Sequence, residues 1–590
     1  MKESIIPEVG TNLKNSHLEN ELKKILLICT RYNSLTQRTH VELLEREYDV
    51  SIELAINNQI LVEAVELYRP NLIIAPYLTT VIPEKIWRNN FCFVVHPGIK
   101  GSRGLSPVDW AIALNVEEWG VTVFQADAEL GAGPIWASSN FKMRPVSKGE
   151  LYRREITEAS VDAILQAVEN FEKGNYIPEP LDYEREDVRG HFYPVMQQYV
   201  RAINWKNDST QTIFRKIRGA DNQPGVLDDL GGLGEFYLYG AHLEDKLSGD
   251  QPGKIIAQRD GAICISTRDG AIWISRLKNN TPEALKLPAT QVLANHLQNV
   301  SESQLPLEVS AERQTFKEVW YEEKYEVGYL NFDFYNGVIS TEQCKRLKEA
   351  FVFACSRKTK VIVLTGSRDF FATGIDLNTI EAAKNPTQET WNNIRAFNDL
   401  IYTIIATTTH FIISAMEGNA SAEGVMLALA ADLVYARKGI VLNPHYRQLE
   451  MYGSGFWTYL IPERIGLDNA RDIVESYLPI SAREAERKGL IDYVIEDNNI
   501  ISFRQQIQSV AEEVARSPDL DLNLIKKKEK RASSEEFKPL WDYWKEEAEQ
   551  IKIGVDCGYY DFLRHKFVYK IMPNNTPLYL AKHRQILYSL

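Results

Sequence analysis

At 590 residues the chain has room for roughly three or four domains of ordinary size, and 44% hydrophobic with 25% charged residues excludes a disordered or collagen-like polymer. A net charge of −13 and an isoelectric point near 5.5 argue against a nucleic-acid binder, which usually carries a basic face. The six cysteines (Cys29, Cys92, Cys264, Cys344, Cys355, Cys557) include no Cys-x-x-Cys pair, so no zinc knuckle, disulfide framework or other metal site is expected.

Residues 1–20 read as a polar tail without the apolar core of a leader, and no run approaches the roughly 20 apolar residues that span a bilayer. A reducing, cytoplasmic setting is the expectation. KILLICT (24–30), PNLIIAPYL (70–78) and NFCFVVH (90–96) are short apolar runs bounded by turn residues, as buried parallel strands are. A helix-like stretch separates the first two, which predicts a Rossmann-like βαβ sheet. WGVTVFQAD (119–127) continues it as a strand ending at Asp127. Val161, Ile164, Leu165, Val168 and Phe171 recur at helical spacing before Gly174, closing a first domain over 21–184.

Residues 185–290 change character. INWKNDSTQTIFRKIRG reads as a capped helix, and GKIIAQRDGAICISTRDGAIWISRL carries Arg-Asp-Gly-Ala twice, at 259–262 and 268–271. Asp-Gly between apolar runs is hairpin chemistry, so a small OB-like β-barrel is predicted. A polar linker is placed at 291–316, a second α/β domain at 317–520, and a charged, aromatic-rich helical extension at 521–590. The fold class is multidomain α/β.

The stretch FVVHPGIKGSRGLSP (93–107) ends a strand on His96. In parallel sheets ligands lie beyond the carboxyl ends of strands. His96 is therefore either a strand-end histidine satisfied by backbone or a group aimed at a ligand. Gly98, Gly101 and Gly104 allow close approach of backbone, while Lys100 and Arg103 add positive charge. With NLIIAPYLTTVIPEKI before it and WGVTVFQADAELGAGPIW after it, this segment resembles the folate-dependent formyltransferases. The 190–290 segment is similar to the C-terminal domain of methionyl-tRNA formyltransferase. The resemblance implies 10-formyl-tetrahydrofolate lying across the sheet ends, with Pro76, Tyr77 and Leu78 shaping the pterin pocket and Gly133 near the bound donor. It implies that His96 polarises the formyl oxygen, and that Lys100 and Arg103 attract the anionic folate tail or CoA phosphates unless they are solvated surface charges. The family's Asn falls on Val94 and its Asp on Gly131, so Asp127 is the nearest carboxylate left, as a substitute acid/base or as a solvated loop residue.

RDFFATGIDL (368–377) followed by EGNASAEGVMLALAADLVYA (417–436) resembles the crotonase, or enoyl-CoA hydratase/isomerase, superfamily. The resemblance implies an oxyanion hole of two backbone N–H groups, aligned to Thr373 and Glu423, with Gly374, Ile375, Asp376 and Leu377 bordering CoA and Gly424 beside the hole. The hydratase glutamates fall on Met426 and His445, so hydration is not expected. Carboxylates stand instead at Glu423 and Glu450. Glu423 is also open to reading as a helix-start surface residue. Tyr446, Tyr452 and Trp457 mark the last motif, as core or as site.

A formyl-folate domain, a small barrel and a crotonase in one chain resemble the HypX (HoxX) proteins of [NiFe]-hydrogenase maturation. YNSLTQR (32–38), HPGIKG and VLNPHYRQLEMYGSGFWTYLIPERIG carry that choice. The resemblance implies a relay in which a formyl group passes from 10-formyl-tetrahydrofolate to CoA and formyl-CoA is decarbonylated to carbon monoxide, a ligand for the hydrogenase iron. Small molecules and other maturation proteins are the implied partners, without nucleic acid or membrane. Departures from the family at Gly131, Glu423 and Gly455 leave two other readings open: an amine or tRNA formyltransferase with the crotonase half as scaffold, and a non-catalytic folate- or CoA-binding assembly protein.

Overall fold

A computed structural model describes residues 24–532 except 311, 445, 447–451, 477 and 498. The strand Lys24–Cys29 buries every residue after its first, because it lies inside a sheet with neighbours on both sides. The order across this six-stranded sheet is Asp49–Leu54, Lys24–Cys29, Leu72–Tyr77, Cys92–His96, Glu118–Gln125, Ile135–Lys142. The first four are parallel and the last two antiparallel, so Ala75 lies opposite Val94 and His96 opposite Thr122. The stretch read as helix-like between the first two predicted strands holds two helices and an edge strand, Asp49–Leu54. Its Asp and Glu interrupt the apolar run by which the inner strands are recognised. Asn33 caps the helix Ser34–Leu44 by accepting Thr36 N–H, and Asn57 caps Asn58–Tyr68 through Ile60 N–H. Such caps contribute about 1 kcal/mol each. The helix Glu155–Glu172 buries Ile156, Ala159, Ala163, Ile164, Ala167 and Val168, one stripe at helical spacing, against the two antiparallel strands.

The second unit is an antiparallel sheet backed by the helix Thr210–Ala220, whose Ile213 and Ile217 meet Ile263, Ile265, Ile272 and Ile274. Both Arg-Asp-Gly-Ala repeats turn hairpins, the first with Asp260 and Gly261 at φ of 49° and 87°. Among the described residues the outer strands, Ile255–Arg259 and Val226–Asp228, are not paired with each other. Leu293 and Leu297, in the segment read as a linker, complete this core, and Phe316 packs on Trp273 and His242.

The third unit has a six-stranded sheet in the order Val319–Lys324, Val327–Phe332, Val361–Thr365, Phe411–Met416, Leu433–Arg437, Tyr493–Ile495. A four-stranded sheet, Phe370–Ala372, Asn419–Ser421, Val441–Asn443, Ile480–Ser481, stands beside it. The helices Thr341–Cys355 and Pro386–Ala406 bury Phe351, Phe397, Leu400 and Ile401 in the core they share. Most of the predicted 521–590 extension lies outside the described residues. No helix among the described residues is long and apolar enough to cross a membrane.

Polar contacts join the units. Arg153 pairs with Asp369 at 2.5 Å, Arg437 with Glu158 at 2.7 Å, and Arg276 with Asp376 at 3.5 Å. Tyr335 donates to Asp221, and Asn443 Nδ2 donates to Gln37 Oε1 at 2.7 Å. Buried ion pairs add little net stability, but removing one partner strands the other's charge, at about 3–5 kcal/mol.

Candidate functional site

His96 ends its strand at the floor of a cleft of about 430 Å³. Its Nε2 lies 3.3 Å from Ser102 Oγ, and burial lowers its pKa to about 4, so the ring is neutral near pH 7. The loop after it is pinned from several sides. Trp119 Nε1 donates to Pro97 O at 3.0 Å, Thr122 Oγ1 to Gly98 O at 2.8 Å, and Tyr183 OH to Gly101 O at 3.1 Å. The loop's glycines answer to the protein's own packing. A methyl group on Gly98 would lie 2.4 Å from Ser102 Oγ, one on Gly101 2.7 Å from Val188, and one on Gly104 1.9 Å from Tyr193 O.

The cleft gathers Leu78, Val94, His96, Arg103, Gly104, Asp127 and Gly131. Pro76 and Tyr77 end their strand and do not line it; Tyr77 O accepts Thr30 N–H at 2.9 Å. The strand expected to reach Asp127 stops at Gln125, whose N–H donates to Pro134 O as the chain turns. Asp127 stands two residues later at the rim, exposed, accepting Ala128 N–H at 2.6 Å. Gly131 has room beside it: a methyl group there would meet nothing closer than Arg103 Cγ at 3.5 Å. Gly133 has none, since a methyl group would lie 1.9 Å from Gln125 O. Arg103 pairs with Glu129 at 2.6 Å and donates to Leu130 O, clamping the loop that carries Asp127. Lys100 points away from the cleft into Glu179 and Asp187, at 2.7 and 2.9 Å.

In the third unit the Thr373 N–H donates to Gly337 O at 2.7 Å. That bond takes Thr373 out of the pair of N–H groups expected to hold a carbonyl. The N–H two residues on, at Ile375, makes no hydrogen bond among the described residues. Gly374, at φ 93°, makes the turn between them. Glu423 opens the helix Glu423–Leu429 directly opposite: a methyl group on Gly374 would lie 2.6 Å from Glu423 Oε2. Gly424 lets that helix start seat on Ala372, where a methyl group would lie 2.1 Å from the carbonyl oxygen. Glu423 is buried and accepts from Ser454 Oγ; burial raises its pKa above the usual carboxylate range. Tyr446, fully buried, donates to Ser454 O at 2.7 Å, and Gly455 N–H donates to Asn398 Oδ1 at 2.7 Å. Asp376 caps the helix Leu377–Glu381 by accepting Asn378 and Thr379 N–H groups. Met426 lies in the core, and Tyr452 packs on Trp457 at 5.6 Å. His445 and Glu450 lie outside the described residues.

A small polar gap of about 30 Å³, room for a water or two, lies between the first and third units and is lined by Arg38, Arg153, Arg368 and Arg437, with Glu158 and Asp369 among their neighbours. Arg368 makes no hydrogen bond or ion pair among the described residues. Sequence reasoning missed this group, because arginines spread over four segments carry no common spacing. The first unit also reaches the second site's backbone. Gln37 accepts from Asn443, and Asn443 O accepts the N–H of Ala422, the residue before Glu423.

The enoyl-CoA hydratase/isomerase family pattern matches residues 336–544, and that of the formyl transferase C-terminal domain matches 196–292. The methionyl-tRNA formyltransferase of Thermotoga maritima is 28% identical over 224 residues, 37% of this chain and 69% of that protein. The crystal structure of HypX from Aquifex aeolicus in complex with tetrahydrofolic acid superposes with a TM-score of 0.91 at 41% identity, over 96% of this chain and 99% of that one. The hydrogenase maturation factor HoxX of Bradyrhizobium diazoefficiens is 42% identical over 565 residues, 95% of this chain and 97% of its own. With both of its halves matched in one continuous alignment, the chain belongs to the HypX/HoxX family of hydrogenase maturation factors.

Proposed function

We propose that this chain makes carbon monoxide from 10-formyl-tetrahydrofolate, by formyl transfer to the thiol of CoA followed by decarbonylation of the thioester. Both folate and CoA are substrates here. The observation that carries the reading is the cluster of four arginines between the two units, beside the Gln37–Asn443–Ala422 contacts that join the first unit to the helix start of Glu423. A carrier serving both sites must lie along that junction, and a diphosphate on the carrier needs cations that are not already neutralised. Arg368 meets that requirement. A tetrahydrofolate complex of a family member at 41% identity supports the donor. CoA rests on the crotonase likeness alone.

In the first step His96, neutral near pH 7, donates a hydrogen bond to the formyl oxygen as negative charge develops on it. Asp127, at the rim of the same cleft, takes the thiol proton, directly or through water. In the second step the N–H groups of Ile375 and Glu423 hold the thioester carbonyl. Burial of the second site keeps water from hydrolysing the formyl thioester. The product serves as a ligand for the hydrogenase iron, with other maturation proteins as partners, in the cytoplasm.

The test supplies 10-formyl-tetrahydrofolate and CoA to the full chain and traps gas with reduced haemoglobin. Carbon monoxide that depends on both substrates and is lost in His96→Ala supports the reading. Folate turnover with an amine acceptor and no gas would replace it with a formyltransferase whose crotonase half is a scaffold. Binding without turnover would leave an assembly protein.

A further inference from the structure

We propose that Glu423 is the proton carrier of the decarbonylation: its carboxylate takes the formyl C–H proton and returns it to the departing sulfur of CoA. The assignment rests on the carbon-monoxide reading above and deepens it. It starts from placement. Glu423 is 2% exposed, and its Oε2 lies over the Gly374–Ile375 turn, where a methyl group on Gly374 would come within 2.6 Å. The carboxyl therefore borders the Ile375 N–H, which has no partner among the described residues, and accepts its own backbone N–H, a bond within one residue that a bound carbonyl replaces. A carbonyl gripped by those two groups brings its carbon, hydrogen and sulfur against the carboxyl.

The surroundings leave the group available for proton transfer. Among the described residues no lysine, arginine or histidine pairs with Glu423. Its side-chain partner is Ser454 Oγ, on a residue whose backbone carbonyl accepts from Tyr446 OH. The other titratable side chain that senses it is Cys344, on the helix Thr341–Cys355, whose thiol burial pushes well up. A buried carboxyl without a cation is costly in a structural role and suited to carrying a proton. The bare alternative, a solvated cap at a helix start, fails on burial.

The chemistry balances with this one group. The C–H bond breaks and its electron pair stays on carbon as the lone pair of carbon monoxide. The C–S bond breaks with its pair on sulfur. The proton passes from carbon to the Glu423 carboxylate and then to sulfur, giving carbon monoxide and free CoA thiol. Nothing is oxidised or reduced, and no co-reactant is needed.

The experiment bypasses the folate site by supplying synthetic formyl-CoA to the full chain. Release by the wild type checks the reading itself; no release there would overturn both the reading and this assignment. With release established, Glu423→Gln is expected to slow it by about 10²–10⁴-fold while formyl-CoA binding is kept, and Glu423→Asp to restore part of the rate. The wild-type rate rises with pH as the carboxyl ionises, and that inflection disappears in the Gln variant. Deuterium on the formyl carbon slows the wild type, which needs no variant to fold. Wild-type rates in Glu423→Gln, or no isotope effect on the release step, would overturn the proposal.

Discussion

Substituting His96 by alanine removes the imidazole at the floor of the first unit's cleft, where formyl transfer is proposed, and the size of the loss follows from its state. Burial lowers its pKa from 6.5 to about 4. At roughly 1.4 kcal/mol per pK unit, that is a preference of about 3 kcal/mol for the neutral ring. At pH 7 the donor is therefore a neutral N–H, fixed 3.3 Å from Ser102 Oγ and ready for a developing oxyanion without reorganisation. Losing one such preorganised donor costs about 10²–10³ in rate. We expect His96→Ala to lower kcat for tetrahydrofolate release in the presence of CoA by that factor, with folate affinity nearly unchanged. Titration of labelled histidine by NMR should place the His96 transition near pH 4. An unchanged kcat, or a His96 titration near 6.5, would refute the reasoning.

Asp127→Asn should lower formyl transfer by about 10²-fold, and adding Gly131→Asp should restore part of it, since position 131 lines the same cleft with open space beside it, and aspartate is among the residues that tolerate its left-handed backbone, at φ 71°. Arg368→Ala should raise the KM for CoA without shifting Tm, because among the described residues no hydrogen bond or ion pair is lost with it. Burial lowers the pKa of His40 to about 3, so between pH 6 and 5 the unfolded chain binds a proton there that the folded chain does not. Its contribution to stability is whole above pH 6.5 and falls as the pH drops towards 3. His40→Asn should accordingly flatten the dependence of urea stability on pH between 5 and 6 by close to one proton.

The inner strands, the capped helix Thr210–Ala220 and the paired Arg-Asp-Gly-Ala turns could be read from the sequence because each is set by a few neighbouring residues. The edge strand Asp49–Leu54 could not, since Asp49 and Glu53, the latter fully buried, break the apolar run that marks an inner strand. In the first site the strand-end rule found His96, and proximity in sequence found Asp127. The reason for the glycines was hidden, because Gly101 and Gly104 answer to Val188 and Tyr193, some ninety residues away. In the second site the alignment chose Thr373 over Ile375. Which N–H stays free depends on Gly337 O, 36 residues earlier, and no local pattern reports that bond. The arginine cluster was illegible for the same reason: its members meet only when two domains close on each other.

The account stands on transfer of one carbon between two sites within one chain. The most direct measurement supplies 10-formyl-tetrahydrofolate labelled with carbon-13, CoA, and an excess of unlabelled formyl-CoA, and reads the isotope in the released gas. The proposed relay predicts carbon monoxide that keeps most of the label, because in it the thioester made at His96 passes to Glu423 without mixing with the pool. Gas carrying the isotope ratio of the unlabelled pool, or no labelled gas at all, would contradict it.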